Sequence, residues 1–292
     1  MWEIMSEEEF AAVEKDSGNT ILRRGGVWWR KVRPLFFRPL LPFQSYRSDA
    51  LKDAFGPLTG YQHLVDPDQP FNSHFNLLIW DRLQEYSLAS VSQHTRSKIR
   101  KALENRVELN RIEDPESFID GAYPVYRSFF SRTRYGFKSE RQDRAGFEKW
   151  ARKLLSHPKL MVLGATHEKK LVSVYISCRV GDSVVLKAAI NSEEALGLHA
   201  PDLAIHNYRE QASRIPEIRF LYDSFFQEHD GVNTFKIRRG ARVSAFPARL
   251  RIPAAFELVL RTARRGDYRQ LLGFGPEALQ SVLDRGGTKS HD

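Results

Sequence analysis

The residues best suited to chemistry lie in a basic segment near the C-terminal end of the chain, residues 233–251. The segment reads Asn-Thr-Phe-Lys-Ile-Arg-Arg-Gly-Ala-Arg-Val-Ser-Ala-Phe-Pro-Ala-Arg-Leu-Arg, with six cations and no carboxylate. Ammonium and guanidinium groups bind phosphates and other anions, so this composition predicts an anionic ligand. The segment closes a region of mixed helices and strands, and we expect it at a sheet edge, where it can meet a substrate.

Polar side chains also gather after the apolar strand that precedes this segment: Asp223, Glu228, His229 and Asp230. A carboxylate in such a loop can act as a general base, although solvated loop carboxylates are common. His206 and His229 lack the ligand spacing of a metal site. We therefore expect no bound metal and treat both histidines as structural.

The composition predicts a globular chain with an anionic partner. Its 292 residues are 41% hydrophobic, enough for a sizeable core, and the net charge is +9. Residues 1–112 carry +2 of this charge and residues 113–292 carry +7. Such a field favours nucleic acid, phosphorylated small molecules or an anionic membrane surface.

Cysteine usage and hydropathy favour the cytoplasm. Cys178 is the single cysteine, which excludes a disulfide framework and a cysteine-rich zinc site. Residues 1–16 are acidic without an apolar core, so we expect no export and no stable membrane insertion. Residues 27–42 mix aromatics with cations and could touch a bilayer interface. Their prolines instead favour short strands and a binding loop.

The pattern of elements predicts an α/β (α+β) chain with mixed sheets flanked by helices. Strands are expected within 20–46 and 75–80 and a basic helix over 92–105, followed by a subdomain junction near 112. Two helices then precede an antiparallel meander, a helix, a strand and the basic segment. The first helix after residue 112 begins at Asp114-Pro115, and Pro124 should bend or restart it. The other predicted helices are 147–155, 202–213 and a final one over 276–283. The predicted strands are 160–165, 171–178, 184–190 and 218–222.

This order, together with local sequence, resembles FemAB-like (Fem-type) aminoacyltransferases and their relatives in the GNAT acyltransferase superfamily. The matching stretches are Ser97–Glu108, Tyr126–Gly136, Leu171–Tyr175 and Phe235-Lys236 ahead of Arg239-Gly240. The resemblance spans residues 20 to 255 and depends on the order of the motifs. It implies two GNAT-like subdomains, placed at 1–112 (diverged) and 113–292, with a reaction cleft between them.

The resemblance further implies transfer of an aminoacyl group from aminoacyl-tRNA to a small amine, without a cofactor. The family's phenylalanine-lysine pair, close to the tRNA acceptor end, carries over to Phe235 and Lys236. Lys236 would stabilise the oxyanion or the departing ribose hydroxyl, and Asp223 could take the amine proton. The tryptophan-lysine motif for a nucleotide-linked cell-wall precursor is missing in its usual form, which argues against that acceptor.

The remaining candidates would bind the two substrates. Arg238, Arg239 and Arg242, extended by Arg96 and Arg100 of the basic helix, would hold donor phosphates, and the alternative is a solvated basic surface. Trp28, Trp29 and Tyr222 are the candidates for the acceptor side, and buried strand aromatics are the alternative.

Two other functions are consistent with the charge. One is an acyl-CoA-dependent N-acyltransferase, since residues 197–202 precede a helix whose N–H groups could meet a pyrophosphate. The usual coenzyme A pattern of Arg or Gln, two residues, Gly, one residue, Gly or Ala is not visible there. The other is a non-catalytic RNA-binding protein, which typically carries an aromatic stacking motif that this sequence lacks.

Overall fold

The structure, a computed structural model, describes residues 2–51, 54–133, 139–226 and 231–287. The chain contains both helices and strands, as the sequence predicts. The strands are β1 (Ile4–Met5), β2 (Ile21–Arg24), β3 (Val27–Arg33), β4 (Phe36–Pro39), β5 (Gly60–Leu64), β6 (Ser73–Trp80), β7 (Glu108–Arg111), β8 (Met161–His167), β9 (Lys170–Val180), β10 (Ser183–Asn191), β11 (Phe220–Phe225) and β12 (Arg242–Arg251). The helices are α1 (Glu7–Asp16), α2 (Gln93–Glu104), α3 (Pro115–Thr133), α4 (Arg144–Leu155), α5 (Glu193–Gly197), α6 (Ala200–Ser213), α7 (Gly231–Ile237), α8 (Ala254–Ala263), α9 (Arg265–Leu272) and α10 (Pro276–Gly287).

The chain forms two compact units, each assembled from separate stretches of sequence. Unit 1 comprises Met1–Gly18, Trp80–Asp223 and Arg238–Ala241, and unit 2 comprises Asn19–Ile79, Ser224–Ile237 and Arg242–Asp292. Residue 112, the expected junction, lies inside unit 1. The reason is that β7 pairs with β8 immediately before it, and the Ile112 amide itself bonds to the Val162 carbonyl at 2.9 Å.

In unit 1 the strand order is β11-β10-β9-β8-β7, with β1 alongside β9. Strands β8, β9 and β10 pair antiparallel, which confirms the predicted meander. Strands β10 and β11 are parallel, with Val184 opposite Leu221. Because no hairpin can join parallel neighbours, α5 and α6 form the crossover between them.

Helices α3 and α4 bury an aromatic cluster in unit 1. Tyr126, Phe147 and Trp150 lie with ring centroids 4.9 to 5.5 Å apart. Asp114 caps α3 by accepting the Ser117 amide at 2.7 Å, as its position before a proline predicts. The expected restart at Pro124 does not occur. Buried residues on both sides of Pro124, including Tyr126, hold α3 as one continuous helix.

In unit 2 the strand order is β2-β3-β4-β5-β12-β6, with β4 and β5 parallel and the other pairs antiparallel. Strand β12 contains the second half of the basic segment. It pairs with β5 on one side and β6 on the other, so the expectation of a sheet edge was wrong. A strand with two partners satisfies its amides and carbonyls on both sides, which the charge pattern does not reveal.

The unit 2 core lies under the β2–β5 face and under the C-terminal helices. Trp29 is fully buried between Phe55 and Tyr61. Helices α8 and α9, which the sequence analysis did not anticipate, pack through Leu260 and Leu271 onto Phe36. Within the described residues, no helix combines the length and the apolar character needed to cross a bilayer.

Candidate functional site

The predicted site residues divide between the two units. Unit 1 contains Arg96, Arg100, Tyr222, Asp223, Arg238 and Arg239, whereas unit 2 contains Trp28, Trp29, Phe235, Lys236 and Arg242. Three members of the acidic loop, Glu228, His229 and Asp230, lie outside the described residues. Asp223 itself is half-buried at the end of the unit 1 part of β11.

In unit 1 the short turn 238–241 is fixed by side chains from distant parts of the chain. The Arg239 carbonyl accepts hydrogen bonds from Trp80 Nε1 at 3.2 Å and Arg209 Nη1 at 3.0 Å. The Thr95 hydroxyl donates to the Arg238 carbonyl at 3.2 Å. The backbone of this turn is therefore held in one position by three elements.

Gly240 is required at this turn for two reasons. Its φ of +84° lies in the left-handed region that other residues rarely adopt. A Cβ there would also lie only 2.9 Å from Arg209 Nη1, closer than the van der Waals contact of the two atoms allows. The glycine noted in the sequence motif thus permits close approach of the turn to α6.

Arg239 is a structural residue of unit 1. Its guanidinium forms an ion pair with Asp202 at 2.7 Å, and the two side chains are 7% and 3% exposed. A buried charge requires such a partner. The role of Arg239 in holding donor phosphates stays a prediction, and in this structure its side chain is directed to the interior and paired with Asp202. Its neighbour Arg238 is exposed.

Arg96 also differs from its predicted role. Its Nη1 donates to the carbonyls of Ala89 at 2.8 Å and Val91 at 2.9 Å, which ties α2 to the turn before it. This use as an internal cap removes Arg96 from the candidate donor-binding surface. Arg100, one turn further along α2, is exposed.

Two other cations of α2, Lys98 and Lys101, lie near the start of α6. Helix α2 packs on α6, whose first turn follows His199 in a left-handed conformation with φ of 58°. Burial lowers the pKa of His199, Asp202 opposes this change, and Lys98 and Lys101 lower it further. Lys98 and Lys101 therefore place positive charge near His199. The first turn of α6 offers no free N–H group beside them, since the Asp202 and Leu203 amides bond to the His199 carbonyl, Pro201 has no N–H and Ala200 is buried.

In unit 2, Lys236 lies in the last turn of α7, and its Nζ donates to the Ser224 hydroxyl at 3.3 Å. Phe235 is half-buried beside it, and Arg242 is exposed at the start of β12. Ser224 was not a sequence candidate. No local signal marks it, since the contact spans 12 residues and an undescribed stretch of chain.

A small cavity of about 220 Å³ also lies in unit 2. Phe225, which directly follows Ser224, packs edge-to-face on Phe75 at 4.9 Å, and the Arg38 guanidinium lies 4.3 Å from the Phe225 centroid. Gln62 accepts a hydrogen bond from Arg38 at 2.8 Å and so orients it. The cavity is lined by Val32, Arg33, Phe36, Arg38, His74, Phe75, Asn76, Phe225, Phe226, Gln270 and Leu271. These walls suit a small ligand with an apolar part and an anionic group.

The aromatic residues assigned to the acceptor side occupy core positions instead. Trp29 is 0% exposed and donates from Nε1 to the Arg24 carbonyl at 3.0 Å. Tyr222 is 8% exposed on β11. Trp28 is half-buried beneath the Arg23 guanidinium, 5.6 Å from the ring centroid. Trp29 and Tyr222 therefore cannot line an open acceptor site without a rearrangement of the core.

Among the residues that the structure describes, no group of three His, Cys, Asp or Glu side chains is arranged to hold a metal ion. The His206 Nδ1 is hydrogen-bonded to the Tyr86 hydroxyl at 2.8 Å, consistent with a structural role.

No protein-family model matches the chain, and no curated protein sequence matches it either. Solved structures do match. The C-terminal domain of a protein assigned as a lysylphosphatidylglycerol synthetase from Agrobacterium fabrum has a TM-score of 0.60 at 9% identity, over 87% of this chain and 90% of that one. FemX has a TM-score of 0.59 at 11% identity, over 87% and 93%. L-PGS from Bacillus licheniformis has a TM-score of 0.52 at 12% identity, over 91% and 99%. The predicted Fem-type α/β fold is thereby confirmed, and at these identities the similarity is one of fold.

Proposed function

We propose that the protein is an acyltransferase that forms an amide bond by moving an aminoacyl group from aminoacyl-tRNA to a small amine. The fold supports a transferase, since FemX and L-PGS share it. The single observation that carries the proposal is the position of Lys236, in the last turn of α7 and in contact with Ser224. The Fem-type resemblance assigns this lysine to the acceptor end of the tRNA.

The chemistry needs positioning and charge stabilisation more than a covalent nucleophile. The acceptor amine attacks the ester carbonyl, a C–N bond forms, and the C–O bond to the ribose breaks. Negative charge develops on the carbonyl oxygen and then on the ribose oxygen, and the Lys236 ammonium stabilises it. The proton that the amine loses passes to a base, for which Asp223 is the candidate, and the base returns that proton to the departing ribose oxygen.

Donor phosphates would be held by exposed cations rather than by the whole basic run. Arg238, Arg242 and Arg100 are exposed, and Lys98 and Lys101 place positive charge near His199. The acceptor is not assigned to the Arg38 cavity, because Phe225 of the cavity and Ser224 of the lysine contact are consecutive residues of β11, whose side chains face opposite sides of the strand.

To identify the donor, each of three donor preparations is offered to the enzyme together with a panel of acceptor amines. The preparations are a radiolabelled aminoacyl-tRNA mixture, the same mixture after RNase treatment, and a panel of acyl-CoA thioesters. We expect amide product from the intact charged tRNA and its loss after RNase treatment. Product that survives RNase and requires acyl-CoA would overturn the tRNA donor.

Lys236→Ala should lower the turnover by roughly a hundredfold or more, because an oxyanion partner is lost. The matched control is Lys149→Ala, an exposed lysine on α4 of unit 1, which should keep the wild-type rate. Circular dichroism establishes that both variants fold. A folded Lys236→Ala enzyme with wild-type turnover would remove the lysine from the mechanism.

A further inference from the structure

Helix α8 exposes an apolar face, the reverse of the usual arrangement on a protein surface. Phe256, Leu258 and Val259 are 47%, 64% and 54% exposed. Leu260, one helical turn after Phe256 and so at the margin of this face, packs on the Phe36 cluster of unit 2. A soluble surface helix normally turns such side chains inward, so this face is suited to contact with another apolar phase.

The polar side chains on the exposed side of α8 are already satisfied internally. The Thr262 hydroxyl donates to the Leu258 carbonyl at 2.8 Å. Arg261, at the margin of the face, pairs with Glu257 at 2.7 Å and donates to the Tyr268 hydroxyl at 3.1 Å. Transfer of this face out of water therefore leaves no hydroxyl without a partner.

Cations border the apolar face where α8 leads into α9. Arg264, Arg265 and Arg269 are all exposed. Arg264 approaches Asp267 at 3.5 Å. Within the described part of the chain, Arg265 and Arg269 form no ion pair. Their charge is complementary to an anionic surface.

The β3–β4 hairpin adds to the same region of unit 2. Arg33 pairs with Asp267 of α9 at 3.1 Å, which places the hairpin beside that helix. At its tip Val32 and Leu35 are 41% and 49% exposed, and Lys31 is exposed as well. The hairpin therefore repeats the combination of exposed apolar and cationic side chains found on α8 and α9.

We propose that Phe256, Leu258, Val259, Arg265 and Arg269, here called the α8 surface, dock the protein peripherally on an anionic phospholipid bilayer. Amphipathic helices bind membrane interfaces through Phe and Leu side chains inserted below the headgroups and through Arg at the headgroup level. The charge selects a lipid surface over a second copy of the chain, because two α8 surfaces facing each other would bring like charges together. This inference does not depend on the transferase activity.

The test is co-sedimentation of the full chain with vesicles, in the absence of any donor or acceptor. One set is pure phosphatidylcholine, and the other contains about one third phosphatidylglycerol, a fraction large enough to give a negative surface potential. We expect binding to the anionic set, little binding to the neutral set, and weaker binding at high salt.

Two double variants separate the apolar and the cationic contributions. Leu258→Ser with Val259→Ser should weaken binding by roughly tenfold or more, and Arg265→Gln with Arg269→Gln by about tenfold. The controls are Leu103→Ser, 55% exposed on α2 of unit 1, and Arg127→Gln, exposed on α3. Both controls should bind as the wild type does.

Three results would overturn the proposal: no binding of the wild type to anionic vesicles, wild-type binding by both double variants, or a dimer by light scattering that Leu258→Ser with Val259→Ser converts to a monomer. The last result would assign the α8 surface to contact between copies of the chain. Because vesicle binding is read without substrates, it succeeds or fails independently of the aminoacyl-tRNA assay.

Discussion

At the residue scale, adjacent cations of the basic segment have opposite environments. Arg238 is exposed, whereas Arg239 is 6% exposed and paired with Asp202. The two guanidinium groups are chemically identical, and both follow the phenylalanine-lysine pair. Only one of them is available to an external phosphate, and the other holds the turn against α6.

Replacement of the two arginines should therefore have different effects on the free energy of unfolding. Arg239→Met should lower the free energy of unfolding by about 3–5 kcal/mol, because Asp202 is left as an uncompensated buried charge. Arg239→Met combined with Asp202→Leu should recover much of that loss. Thermal or urea unfolding of the single and double variants measures both effects.

Arg238→Gln is the matched control for this measurement, since it removes an exposed guanidinium from the neighbouring position. Its unfolding free energy should stay within about 0.5 kcal/mol of the wild type. An Arg239→Met protein as stable as the wild type would contradict the structural role of the ion pair.

At the element scale, the packing of α2 on α6 decides which cations of the basic helix are available to bind a donor phosphate. Arg96 is bound to carbonyls of the preceding turn, and Lys98 and Lys101 lie near the α6 N-terminus. The same helix thus contains one cation with a structural role and two with a candidate binding role. Helical spacing alone places all the cations of α2 on its solvated faces, so the sequence does not distinguish these two roles.

Lys98→Gln with Lys101→Gln should raise the KM for charged tRNA by roughly tenfold, since two cations that neutralise phosphate are removed. The turnover number should change little, because neither lysine is assigned to the reacting atoms. Steady-state kinetics at fixed salt measures both constants. Lys149→Gln with Arg127→Gln removes the same charge from unit 1 outside α2 and should leave the KM unchanged.

At the scale of the whole molecule, the charge distribution predicts how binding responds to salt. The net charge is +9, of which residues 113–292 supply +7. If about three phosphates are neutralised, the KM for charged tRNA should rise roughly 20- to 40-fold between 50 and 200 mM salt through counterion release. A KM that changes less than threefold over this range would contradict a tRNA donor and favour a donor with few phosphates.

The sequence by itself determined the types and order of most elements. The meander of β8, β9 and β10 and the capped start of α3 at Asp114 follow from alternation and capping chemistry, which act over a few residues. The Fem-type fold followed from the order of these elements together with short motifs. Helices α8 and α9 were missed, and only the folded chain shows that α8 presents apolar side chains to solvent.

Only the tertiary structure decided which of the candidate residues face a ligand. The burial of Arg239 depends on Asp202, and the position of its turn depends on Trp80, 159 residues away. The Ser224–Lys236 contact likewise joins β11 to α7, and the Arg38 cavity is lined by separate strands together with α9. Charge and residue type are local properties that a sequence displays directly. The side to which a charged group points is set by partners that only the folded chain brings together.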